Sequence, residues 1–130
     1  MAYEIQGRVI GTFNATADLS ALQYTFVSLT TLGGIAGTTV STDAKLFGIL
    51  QNTPTSNQAA EVMVDGVSKL IAGTSSIVIG DYLASTAGGK AVSAAYSSGT
   101  TQWVAARCFE TATLTSGIMT VHVFPARIVV

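Results

Sequence analysis

The sequence predicts an all-β fold, a small barrel or sandwich of short antiparallel strands. Three observations lead there. Short apolar runs rich in Val, Ile, Phe and Tyr alternate with Gly, Ser, Thr and Pro clusters, at the spacing of roughly eight to twelve residues typical of sandwiches and barrels. β-branched residues concentrate in 61–79 and 118–123, and such side chains fit a pleated, half-buried surface. No stretch carries the apolar periodicity of a long helix, and one short helical turn near residues 18–23 is the most that is expected.

With 130 residues, the chain is long enough to bury a core of its own. The expected organisation is an extended N-terminal arm over residues 1–15 and a single β domain over 16–130. Hydrophobic residues make up 48% and charged residues only 10%, against about a quarter charged in an ordinary domain. Mean hydropathy is +0.51. A membrane helix needs about 18 consecutive apolar residues, and Gly, Ser or Thr breaks every run sooner, so no membrane partner is expected. A surface of Ser, Thr, Gly and Ala is cheap to desolvate and suits an interface, since interface cores are depleted of charge. The net charge of −1 and six scattered Lys and Arg residues argue against nucleic acid, which selects clustered basic residues. Cys108 stands alone, so no intrachain disulfide forms. The opening MAYEIQGRVIG lacks a basic region followed by an apolar one, and synthesis in the cytoplasm is expected.

Residues 1–15 hold Tyr3, Ile5, Val9, Ile10 and Phe13 among small and polar neighbours, an alternation that suits extended chain. Such a segment is either an edge strand or an arm that pairs with a neighbouring molecule; the arm is the reading carried forward. In ATADLSALQYTF, Thr16 or Asp18 supplies an oxygen to cap a first turn, and Leu19 and Leu22 share one face of it. A strand follows from Tyr24, and LGGIAGTTVS (32–41) reads as a hairpin broken at Gly33-Gly34. Leu46 to Leu50 is a short strand, ended by a loop containing Pro54, which has no amide proton to donate. Residues 61–83 then read as two apolar strands, around Val62–Val67 and Ile77–Ile79, separated by Ala72–Ser75 and closed at Gly80-Asp81. Asp65-Gly66 and Gly80-Asp81 are taken as turns. Ser85–Ala91 is a turn with Gly88 or Gly89 at positive φ. The last third gives a strand at 102–109 and another at 118–124, stopped by Pro125.

No constellation for chemistry emerges. Cys108 and His122 would be cross-strand neighbours if the last two strands pair, but a thiolate nucleophile needs exposure and a lowered pKa, and a hairpin core supplies neither. One Cys and one His cannot complete a four-ligand zinc site, and Glu61, Asp65 and Asp81 fall short of the six to eight oxygens of a calcium site. Thr31–Gly37 has the glycines of a phosphate loop without the following helix. Catalytic, cofactor and metal residues are therefore all expected to be none.

Several segments nonetheless follow one another in a familiar order: Ala17-Asp18-Leu19-Ser20 with Gln23-Tyr24, then Gly48-Ile49-Leu50-Gln51-Asn52-Thr53-Pro54. Next come Ala59-Ala60-Glu61-Val62 through Gly66-Val67-Ser68-Lys69 to Ala72, then Gly80-Asp81-Tyr82-Leu83 and Gly89-Lys90-Ala91-Val92. Val104-Ala105-Ala106-Arg107 with Glu110 and Ala112 closes the series. In order and spacing this resembles the capsid decoration, or cement, proteins of tailed bacteriophages, over roughly residues 16–125. The N-terminal fifteen residues and the tail 126–130 depart from that pattern. The resemblance implies a non-enzymatic structural virion protein, a homotrimer on the outer face of an icosahedral head that clamps neighbouring major capsid subunits, with no cofactor. The contact residues expected to reach the capsid or a neighbouring subunit are Tyr3, Ile5, Arg8, Val9, Ile10 and Phe13. The alternative is a carbohydrate-binding β-sandwich module on a virion or cell surface, with Trp103 and the tyrosines as its stacking groups.

Overall fold

The structure, a computed structural model of the chain, describes residues 5–38, 45–94, 102–111 and 115–129. These residues form nine strands: β1 Ile5–Ile10, β2 Phe26–Leu29, β3 Ile35–Gly37, β4 Leu46–Leu50, β5 Val62–Ile71, β6 Tyr82–Ser85, β7 Ala91–Ser93, β8 Gln102–Cys108 and β9 Ile118–Val129. Every strand pairing is antiparallel. One curled sheet, a half-barrel, runs β3-β2-β4-β5-β9-β8-β6-β7, and β1 also lies along β5. The all-β expectation holds. In place of a helix, residues 19–25 make two successive tight turns, Leu22 N–H to Leu19 O at 3.0 Å and Thr25 N–H to Leu22 O at 3.2 Å. Asp18 starts this segment by accepting the Ser20 N–H at 3.0 Å, and its hydrogen bonds from Ser20 lower its carboxyl pKa.

β5 organises the sheet. Its Val62–Val67 half faces β1, its first two residues also pair with Leu50 and Ile49 of β4, and Gly66–Ile71 pair with β9. Alternate residues of β2, β4 and β5 go to different cores. Phe26, Ile49 and Met63 join Leu70, Ile77, Leu83, Met119 and Val121 in the main cluster. Val27, Leu50, Val62 and Val64 join Ala15, Leu19 and Ile35 in a second. A strand that alternates polar and apolar residues covers one core; one that is apolar throughout is buried on both faces. The high apolar content thus fills a second core beside the larger main one, built where the segment carrying Ala15 and Leu19 packs against the sheet.

Several expectations are corrected. Over its described part, the N-terminal stretch is a strand of the domain itself, with Ile5 opposite Val67 and Ile10 opposite Val62. No break falls at residue 15: the Ala15 N–H bonds Gln58 O, Thr16 N–H bonds Ile35 O, and Ala15 is buried. Asp65-Gly66 is an irregularity inside β5, where the β1 register shifts. Gly66 sits at φ +133° with its Cα close under Gly7, a conformation that glycine alone adopts freely.

Ile77–Ile79 is no strand. Ile77 is buried, while Val78 and Ile79 are 52% and 65% exposed. Their amides bond Asp81 Oδ2 and Thr111 Oγ1, so Gly80-Asp81 opens β6 instead of closing a strand. Pro125 does not stop β9 either. Val104 pairs with Arg127 and Ala106 with Val123, so Phe124–Ala126 bulge opposite Ala105. A proline costs a ladder no hydrogen bond at such a bulge.

The remaining turns follow their chemistry. Thr30 N–H bonds Gly34 O and closes the β2–β3 hairpin, although the later part of the expected 32–41 hairpin, residues 39–41, lies outside the described residues. Gly89, at φ +79°, closes the β6–β7 turn, with its N–H on Thr86 O.

Candidate functional site

Of the six expected contact residues, Tyr3 lies outside the described residues, and Ile5 is placed only as the first residue of β1. The other four take three different environments. Arg8 and Ile10 line one side of a groove of about 310 Å³, whose other walls come from Phe47 of β4, Val64 of β5, Trp103 of β8 and Pro125 of β9. Val9 points elsewhere and is 44% exposed. Phe13 packs edge-on against Phe47, ring centroids 5.9 Å apart at 85°, and belongs to the second core. Ile10 and Phe13 are both half-buried against the second core, whereas Arg8 and Val9 are exposed on β1.

The floor of this groove follows from the fold. The bulge around Pro125 turns β9 aside, and Trp103 lies beside it on β8, half-buried against the main core. Trp103 thus spends much of its ring on packing, which is the commoner use of a tryptophan in a small domain. Arg8 is the one charged residue in a lining of otherwise apolar and aromatic side chains. A long basic side chain covers apolar surface with its stem and keeps its charge in water.

A second surface feature was not legible in the sequence. Tyr82 of β6, Arg107 of β8 and His122, Phe124 and Arg127 of β9 line a cleft of about 210 Å³. Tyr82 and Phe124 meet edge-on at 6.1 Å. The Arg107 guanidinium lies 5.3 Å from the Tyr82 ring centre and that of Arg127 lies 4.8 Å from the Phe124 centre. The His122 ring stacks on Phe109 at 5.8 Å and 10°, and its Nε2 is 3.9 Å from Asp65 Oδ1. Four separate segments, β5, β6, β8 with the residue after it, and β9, supply these groups, so no local motif announces them.

The pairing of β8 with β9 is present, but it keeps Cys108 and His122 apart. Arg107 is the residue opposite His122, and Cys108 faces Val121. Cys108 is fully buried; its thiol donates to the Glu110 carbonyl at 2.9 Å, with the Met119 sulfur at 4.0 Å. Burial pushes the thiol pKa up, which removes the thiolate that a nucleophile requires. The native protein is therefore expected to resist alkylation by iodoacetamide at pH 8 and to react fully in denaturant, as read by mass spectrometry. Rapid labelling of the native chain would contradict the burial of Cys108. The sign of the linked effect is equally definite. The unfolded thiol ionises at lower pH than the folded one, so stability falls as pH rises through the ordinary thiol range.

Asp65 and Asp81 are far from forming a ligand set. Asp81 Oδ2 accepts from Ser93 Oγ at 2.6 Å and from the Val78 N–H at 3.1 Å. Among the described residues no group of three or more His, Cys, Asp or Glu side chains is placed to hold a metal ion. No model of a known protein family matches the sequence, and no curated protein matches it.

Proposed function

We propose that the chain is a structural virion protein, a decoration protein that binds the outer surface of an assembled tailed-phage head and clamps neighbouring major capsid subunits. The observation that carries this reading is the ordered series of segments from Ala17 to Ala112. The surface along β1 supports it: an apolar groove rimmed by Arg8, with Val9 exposed beside it. A cement protein needs no reaction. It needs only to bind the assembled lattice better than free subunits, and that difference in affinity stabilises the shell by linkage. A homotrimer, carried over from the resemblance, would present three such grooves to the lattice at once, and multivalency multiplies a modest affinity.

The test is sedimentation of the purified protein with expanded heads of the phage that encodes it. Saturable co-sedimentation is the expected result, and its absence would sink the proposal. An Arg8→Glu, Val9→Asp double variant should lose at least tenfold in affinity while keeping the wild-type melting temperature within a few degrees, because surface substitutions usually change stability by less than about 0.5 kcal/mol. Undiminished binding by that variant would move the contact surface away from β1.

The alternative, a carbohydrate-binding module, draws on the gathering of Tyr82, Phe109 and Phe124 around His122 and the two arginines. A sugar stacks on a free aromatic face. Here Arg107 lies over Tyr82, Arg127 over Phe124 and His122 over Phe109, so each of these rings already has a cationic or aromatic partner. Trp103 stands apart in the groove beside β1.

A further inference from the structure

The cleft between β6, β8 and β9 holds two arginines that no carboxylate of the described residues pairs with. Arg107 donates its Nε–H to the Gly80 carbonyl at 3.2 Å, a bond that leaves the four outer N–H donors of the guanidinium for a ligand of the cleft it lines. Arg127 rests on Phe124. Among the described residues no carboxylate forms an ion pair with either arginine. Of the nearby acids, Asp81 is engaged on Ser93 and the Val78 amide, and Asp65 lies beside His122, itself part of the cleft lining.

We propose that this cleft is a carboxylate-binding site, which takes an Asp or Glu side chain from an acidic segment of a partner protein. The chemistry of the cleft favours that ligand. A guanidinium is a planar fork of donors that matches an oxyanion in two parallel hydrogen bonds. Stacking on Tyr82 and Phe124 holds both forks before any ligand arrives, so less rotamer entropy is lost on binding. The site also carries a carboxylate of its own at the rim, Asp65, which is 54% exposed. A second negative charge there opposes a phosphate dianion more strongly than a carboxylate monoanion. The net charge of −1 likewise gives no broad positive field to gather polyanions. This site stands or falls independently of capsid binding.

The experiment is an NMR titration of the intact chain at low salt, following arginine side-chain and His122 ring signals. The probes are a tetraglutamate peptide, succinate, inorganic phosphate and maltohexaose. Tetraglutamate is expected to give saturable shifts at Arg107, Arg127 and His122, with succinate weaker at the same signals. Arg107→Gln and Arg127→Gln should each weaken tetraglutamate at least tenfold. Arg127→Lys, which keeps the charge and loses the fork, should weaken it measurably, and Lys90→Gln, in the β6–β7 turn beside Ser116, should leave it unchanged. Raising salt should weaken binding, because the pairing is partly exposed to solvent. An unchanged amide spectrum away from the cleft verifies that each variant is folded. The proposal is overturned by an absence of saturable shifts, by binding that survives both Arg→Gln substitutions together, by phosphate binding more tightly than tetraglutamate, or by maltohexaose occupying the cleft.

Discussion

Phe26→Ala is expected to cost about 3–5 kcal/mol, the range for removing a buried aromatic side chain. Phe26 is fully buried in the main cluster, with Leu70, Ile77, Leu83 and Met119. Its position leaves little scope for collapse around the cavity, because its own backbone is pinned. The Phe26 N–H bonds the Gly89 carbonyl at 2.8 Å, and β2 is held between β3 and β4. A domain of this size has about 5–15 kcal/mol of stability in total, so the substitution removes a large share of it. Urea unfolding followed by tryptophan fluorescence measures the loss as a lower midpoint at unchanged slope. A midpoint within the error of wild type would mean that Phe26 does not fill the core as described.

Gly7→Val should detach β1 from β5. A β-carbon at Gly7 would overlap the Asp65 carbonyl oxygen and come within 2.7 Å of the Gly66 Cα. Both obstacles are backbone, which has no rotamer to turn aside. Overpacking costs about 1–3 kcal/mol even where side chains can yield, so a loss at the upper end is expected, confined to β1. Hydrogen exchange distinguishes a local from a global effect: the amides of Arg8 to Ile10 should lose protection while those of Leu70 and Val121 keep theirs. Full protection of β1 in the variant would refute the close approach of Gly7 and Gly66. The same variant bears on capsid binding. If β1 acts as a docked strand, Gly7→Val weakens binding; if it acts as a released arm, binding survives or improves.

The strands that were legible in the sequence are those whose local chemistry and tertiary role agree. Leu46–Leu50 has an apolar run, and the following loop contains Pro54, so both ends were marked. Val62–Ile71 is rich in β-branched residues, and the Gly33-Gly34 and Gly88-Gly89 pairs marked hairpin turns. The misreadings share one cause, a local signal overruled by a distant partner. Ile77–Ile79 has strand composition but finds no neighbour to pair with, because Thr111 and Asp81 side chains take its amides. Pro125 ends a strand only where the ladder is regular, and here β9 bulges. Asp65-Gly66 looks like a turn until β1 is placed against it. The arginine cleft was illegible for the same reason: Tyr82, Arg107 and Arg127 lie in three segments that meet only after β6, β8 and β9 are side by side. The Cys108–His122 idea identified the right strand pair and missed that neighbouring positions face opposite sides of a sheet.

The central place of β5 also fixes the order of events during synthesis. Its first half can find β1 and β4 as soon as it leaves the ribosome, since both precede it in the chain. Its second half must wait for Ile118–Val123, near the end of the sequence. Until then Leu70 lacks its neighbour Met119, and the strand presents unpaired amides of the kind that nucleate aggregation. Folding should therefore complete only after the last strand is released, on the millisecond-to-second scale of proteins dominated by distant pairings. Truncations that remove β9 should accumulate as insoluble chains, however well the first half of the sheet is formed.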